Sequence, residues 1–236
     1  MGHDRDESTD GDRTVIMTEA LGMIPGWFGK LPALGDFASR RLPQNFTQTW
    51  DDWLSAGLQS SRVTLGETWL DAFLRAPLWS FALLPGVIDP SCWCGVMMPS
   101  VDRAGRYFPL TIVAPFEAPP ADAVAIARLQ VWLNGLKRAA LATLDDGHTT
   151  EQLEQALAVL GAPQAAPRPA AAPNDHGGWP FDGEDLVRAL TQPALAGFWR
   201  ECSGETLWWS DTSPRVRRVR GLPPAGDFHS WLARID

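Results

Sequence analysis

The sequence predicts a mixed α and β (α+β) domain built on a mostly antiparallel sheet with amphipathic helices packed against it. Three observations carry this. The strand-like segments 79–85, 92–100 and 106–116 follow one another through GVIDPS and VDRAG, connections too short for a parallel crossover, which takes a dozen or more residues. Residues 44–60 set Phe46, Trp50, Trp53, Leu54 and Leu58 at spacings of four, three, one and four, the period of a helix with one apolar stripe. Residues 119–145 carry Leu129, Trp132, Leu133, Leu136, Ala140 and Leu144 on one broad apolar face, which predicts the longest helix and its packing on the sheet.

The remaining elements follow in chain order. Residues 1–14, MGHDRDESTDGDRT, hold five acids, two arginines and no large apolar side chain. They predict a disordered acidic tail reaching to about residue 20, with residues 21–236 as a single domain. Asp6 stands where N-myristoylation needs Ser or Thr. WFGKLP (27–32) reads as a first strand ending at Pro32, and ALGDF (33–37) as a loop. Trp69, Leu70, Phe73 and Leu74 predict a second helix over 66–75, stopped by Pro77. Thr149 and Gln152 have the spacing of a capping box for a short helix that turns Leu153, Ala156, Leu157 and Leu160 inward and closes at Gly161. Residues 162–180 hold five prolines in 19 residues and predict an exposed, extended loop. Helices near 183–191 and 194–200, a strand at 206–210, a charged edge strand in RVRRVR (215–220) and a terminal helix with Phe228, Trp231, Leu232 and Ile235 complete the pass. The C-terminal 55 or so residues are few for an independent core, so they are expected to complete the main sheet.

Composition narrows the function. The chain has 236 residues, 45% hydrophobic and 20% charged, enough to bury a sizeable core. Its longest apolar runs fall well short of the roughly 20 residues that span a bilayer, and no charged-then-apolar leader opens it. Twenty basic against 28 acidic residues give a net charge of −8, which argues against nucleic acid and anionic membrane as partners. Cys92, Cys94 and Cys202 do not form a disulfide framework, and Cys92 and Cys94 read as small buried hydrophobes in a reducing compartment. These features predict a cytoplasmic protein without a cofactor. Twelve Trp residues against one Tyr predict a Trp-rich core, with any exposed Trp an interface candidate.

Two residue sets could carry function. Gly35, Asp36, Arg40 and Arg41 follow the first strand; Gly35 and Asp36 there suit a left-handed backbone and a helix cap, or a polar patch with the arginines. Asp102, Arg103 and Arg106 lie in PSVDRAGRYFP (99–109), where a hairpin turn would have Asp102 accept backbone N–H bonds and pair with an arginine. The alternative is a carboxylate- or anion-binding corner, since arginine presents a planar donor fork. Whether the two sets form a buried ion network or a docking surface stays open on the sequence. No nucleophile elbow, P-loop or dinucleotide fingerprint is present. Asp145-Asp146-Gly147-His148 reads as a solvated helix end and not as a metal site.

Several long strings resemble one family. GWFGKLPALGDFASRRLP (26–43), WDDWL (50–54), PLWSFALLPG (77–86) and GVMMPSVDRAGRYFPLTIVAPF (95–116) are similar to the TagF (also ImpM) family, accessory proteins of bacterial type VI secretion. The match is strong over about 26–145, and LWWS (207–210) and GLPPAGDFHSWL (221–232) extend it loosely. The resemblance implies a three-layer α/β/α sandwich with the antiparallel sheet in the middle. It also implies a regulator that is not an enzyme: a post-translational repressor that works through the forkhead-associated scaffold protein of the apparatus. Some relatives carry a fused metal-dependent phosphatase; 236 residues leave no room for one, so any phosphatase is expected as a separate protein. The family gives no catalytic residues to carry over. The reading is therefore a pre-folded domain that withholds the scaffold from assembly, with Gly35, Asp36, Arg40, Arg41, Asp102, Arg103 and Arg106 as interaction or fold-fixing residues. Its rivals are a hydrolase or phosphate-ester enzyme, and an anion or phosphopeptide sensor, using the same Asp/Arg cluster.

Overall fold

The computed structural model describes residues 24–116, 123–163 and 202–233. Seven strands form one sheet in the order β2-β1-β5-β4-β3-β6-β7, every neighbouring pair antiparallel. They are β1 (Gly26–Gly29), β2 (Ala38–Arg40), β3 (Trp79–Leu83), β4 (Cys92–Met98), β5 (Leu110–Phe116), β6 (Glu205–Ser210) and β7 (Ser213–Arg220). The helices are α1 (Gln44–Leu65), α2 (Trp69–Arg75), α3 (Ala123–Ala142), α4 (Thr150–Leu160) and the single turn α5 (His229–Leu232).

The central strands are apolar on both faces because helices cover both. Along β4, Cys92, Cys94, Val96 and Met98 point into a core shared with Leu133 and Leu136 of α3 and Leu153 and Leu157 of α4. Trp93 and Met97 point the other way, into a core with Phe46, Trp50 and Trp53 of α1 and Phe73 of α2. The period-two alternation of a strand thus feeds two cores at once, and the result is the three-layer α/β/α sandwich. Gly95 sits where β4 and β5 close up: a Cβ there would stand 2.3 Å from the Ile112 carbonyl oxygen.

All ten described Trp residues are buried, so none serves as an exposed anchor. Most of their N–H groups find acceptors within the fold. Trp50 donates to Thr111, Trp53 to the Pro223 carbonyl and Trp79 to the Trp231 carbonyl, which ties α1, the sheet and the C-terminal turn together.

Several expectations shift. The first strand ends at Gly29, before Lys30, and the third predicted strand of the middle set starts at Leu110, not at residue 106. The first helix runs five residues further than predicted, to Leu65, and a short 3₁₀ turn (Gly66–Thr68) precedes α2. β2 was not expected at all. The capping box is present, with Thr149 Oγ1 accepting from the Gln152 amide at 3.3 Å and Gln152 Oε1 from the Thr149 amide at 2.8 Å. The C-terminal segment completes the sheet through β6 and β7, and the arginine-rich β7 is an edge. The acidic tail 1–20, the loop 162–180 beyond residue 163, the helices near 183–191 and 194–200, and Ile235 lie outside the described residues.

Candidate functional site: a braced corner at the end of β1

Lys30 leaves β1 at the point where the β4–β5 connection folds over it. The Asp102 carboxylate is fully buried there and is filled by four donors. Oδ2 accepts from Lys30 Nζ at 2.8 Å and from Arg106 Nε at 2.8 Å; Oδ1 accepts from the amides of Ala104 and Arg106, both at 2.9 Å. Four acceptor positions are what an ionised carboxylate has. Burial opposes its ionisation, but the bonds from Lys30 and Arg106 and the charge of Lys30 outweigh it, so Asp102 is held well below the usual carboxylate range.

The two connections interlock. The Arg103 amide donates to the Leu34 carbonyl at 2.8 Å, Arg106 Nη2 to the Gly35 carbonyl at 2.6 Å, and Ser100 Oγ to the Lys30 carbonyl at 2.8 Å. Asp36 Oδ1 accepts from the Phe37 amide at 2.8 Å and lies 3.6 Å from Arg106 Nη2. The Phe37 ring is 45% exposed. It packs edge-on against Phe108 at 4.6 Å, and Lys30 Nζ sits over it at 4.6 Å. The turn reading of Asp102 holds in full. The left-handed-backbone and helix-cap reading of Gly35 and Asp36 does not: Gly35 is not in the left-handed region, and Asp36 caps no helix but only the next residue's amide.

Gly35, Asp36, Asp102, Arg103 and Arg106 therefore come together, and Arg40 and Arg41 do not. β2 pairs Arg40 with Trp27 and Ala38 with Gly29, so the strand carries both arginines to the far end of β1. Arg40 lies over the Trp27 ring. Arg41, at φ 57°, donates to the Pro25 carbonyl and to Glu154 of α4 at 2.5 Å, and Glu154 also accepts from the Trp27 indole at 2.6 Å. That arrangement pins α4 to the sheet edge. The residue that sequence reasoning missed is Lys30, whose buried ammonium has no local sequence signature.

The other candidates are structural. Cys92 and Cys94 are buried, burial pushes the Cys92 thiol up to about 11 and Cys94 higher still, and no disulfide is seen among the described residues. No cluster of metal-binding side chains occurs among the described residues, and no described helix is long and apolar enough to cross a membrane. An apolar crevice of about 20 Å³ is lined by Phe73, Trp79, Met97, Pro99, Pro109 and Trp231 among others. It has room for about one water-sized group.

The corner is an ion network that braces the surface of an all-antiparallel α/β/α sandwich. The chain belongs to the TagF family: the model of the TagF N-terminal domain, described as type VI secretion system-associated, matches residues 26–160. Among solved structures it is similar to PA0076 from Pseudomonas aeruginosa PAO1, a crystal structure at 2.05 Å resolution. The two share 35% sequence identity and a TM-score of 0.69 over 88% of this chain and 93% of that one. No curated protein matches this chain.

Proposed function

We propose that this chain represses the bacterial type VI secretion system after translation, in the cytoplasm, by binding the forkhead-associated scaffold of the apparatus and withholding it from assembly. Membership of a type VI secretion-associated family supports the reading. The observation that carries it is the state of Asp102. With four donors on its two oxygens, this acid has no lone pair left to take a proton from a substrate or to ligate an ion. It braces two connections so that Arg103, Arg106 and Phe37 face solvent on a surface formed before any partner arrives, and a preformed surface loses little ordering entropy on binding. Repression then needs only a higher affinity for the unassembled scaffold than for the assembled one. A separate protein phosphatase of the same pathway is a further partner in this reading.

Isothermal titration of the purified scaffold protein into the full chain tests it. Saturable binding is expected. A flat titration, with the scaffold shown to be folded, would overturn it.

A further inference from the structure

The corner has a charge balance opposite to that of the whole chain. Lys30, Arg103 and Arg106 stand against Asp36 and Asp102, a surplus of one positive charge on a protein of net charge −8. Lys30 and Asp102 are buried and satisfy each other, so the surplus is carried by the exposed arginines. The Arg103 guanidinium is exposed, makes no ion pair among the described residues, and lies over Gly35, where an added Cβ would stand 3.6 Å from its Nη2. Arg106 commits Nε to Asp102 and Nη2 to the Gly35 carbonyl, which leaves its outer nitrogen to solvent. In the same corner the Phe37 ring packs against Phe108 and Phe28 with the Lys30 ammonium over it, and the residue stays exposed.

We propose that this corner receives an acidic segment of a partner protein: one Asp or Glu carboxylate on Arg103 and the outer edge of Arg106, with a neighbouring apolar side chain on Phe37. The proposal deepens the repressor reading and rests on it. Charge selects a carboxylate over a phosphate. One surplus positive charge matches one negative charge, and Asp36, 80% exposed and 3.6 Å from Arg106, would stand against the second charge of a phosphate. The Arg103 guanidinium, without an ion pair among the described residues, offers the planar fork that holds a carboxylate, and the outer nitrogen of Arg106, whose Nη2 is bonded to the Gly35 carbonyl, adds a further donor. The exposed ring supplies apolar contact area at little cost in side-chain freedom, because its neighbours already hold it.

The test is an amide-resolved NMR titration of the full chain with three acetylated, amidated hexapeptides: Gly-Ser-Glu-Leu-Ser-Gly, its Gln counterpart and its phosphothreonine counterpart. The Glu peptide is expected to shift the amides of Gly35, Phe37, Arg103 and Arg106 saturably. The Gln peptide, and the Glu peptide on an Arg103→Gln variant, are expected to bind about five- to tenfold more weakly. Added salt is expected to weaken the Glu peptide, since the pair is exposed. Equal binding of Glu and Gln peptides, shifts elsewhere, no shift, or tighter binding of the phosphothreonine peptide would each overturn the proposal. The titration contains no scaffold, so it reads the corner alone, whereas the scaffold titration above reads repressor binding alone.

Discussion

Lys30 and Asp102 stand 72 residues apart in the chain and form a 2.8 Å ion pair with side chains 5% and 0% exposed. The pair closes the end of β1 onto the β4–β5 connection. Two exposed groups rest on it: the Arg106 guanidinium bonds to Asp102, and the Phe37 ring lies under the Lys30 ammonium.

This tie should show in the acid limb of stability. The folded carboxyl of Asp102 is held below its ordinary value of about 3.9. The unfolded chain therefore takes up the proton first as pH falls. The contribution is complete above about pH 4 and is lost progressively below it. Asp102→Asn is expected to lower Tm at pH 7, with its gap from wild type narrowing as pH falls below about 4. Thermal melts across that range check this. Parallel curves for the two proteins would remove the assignment.

At the opposite end of β1, Arg41 has a left-handed backbone and two side-chain duties. Removing the side chain loses the bonds to Glu154 and Pro25 in either variant, so Arg41→Ala and Arg41→Gly differ only in backbone cost. The glycine variant is expected to be the more stable by about 1 kcal/mol. Urea titrations of the pair measure it, and equal stabilities would mean that the φ of 57° is relieved in solution.

Much of this architecture was legible. Short Gly/Pro/Asp connections announced antiparallel strands, the Trp stripe of α1 announced its buried face, and Asp102 among the arginines of 99–109 pointed to a turn acid paired with an arginine, with an anion-binding corner as the alternative. What was not legible depended on distance in the chain. Lys30 looks like the polar position of a strand, and only the fold brings Asp102 over it. β2 is three residues long, with too few positions to display a period of two. Without it Arg40 and Arg41 group with Asp36 after the first strand, when β2 in fact carries them to the other end of β1. For Gly35 the local sequence offers a backbone device or a polar patch and cannot show the Arg103 guanidinium lying over it.

Packing between α1 and the C-terminal turn is tight at one point. A Cβ on Gly57 would stand 2.4 Å from the Phe228 ring, and Phe228 is itself buried against Trp53. Gly57→Ala is expected to destabilise by about 1–3 kcal/mol through overpacking, despite the better helix propensity of alanine. A neutral or stabilising result in chemical denaturation would show that Phe228 moves freely.

The thiols of Cys92 and Cys94 are raised by burial, Cys92 to about 11. Neither forms appreciable thiolate at pH 8. In the native protein, iodoacetamide at pH 8 is expected to leave both unlabelled over hours, with rapid labelling once urea unfolds the chain. Site-resolved mass spectrometry reads each cysteine separately, and fast native labelling of Cys92 would contradict the packing of β4 against α3 and α4.

The most direct measurement is type VI effector secretion from cells expressing the wild-type chain or an Arg103→Gln/Phe37→Ser variant, at matched protein levels and with the variant's Tm shown to be close to wild type. The account predicts that wild type suppresses secretion and that the variant, losing only the exposed face of the corner, releases it. Full suppression by the variant would contradict the claim that this corner is where the chain acts.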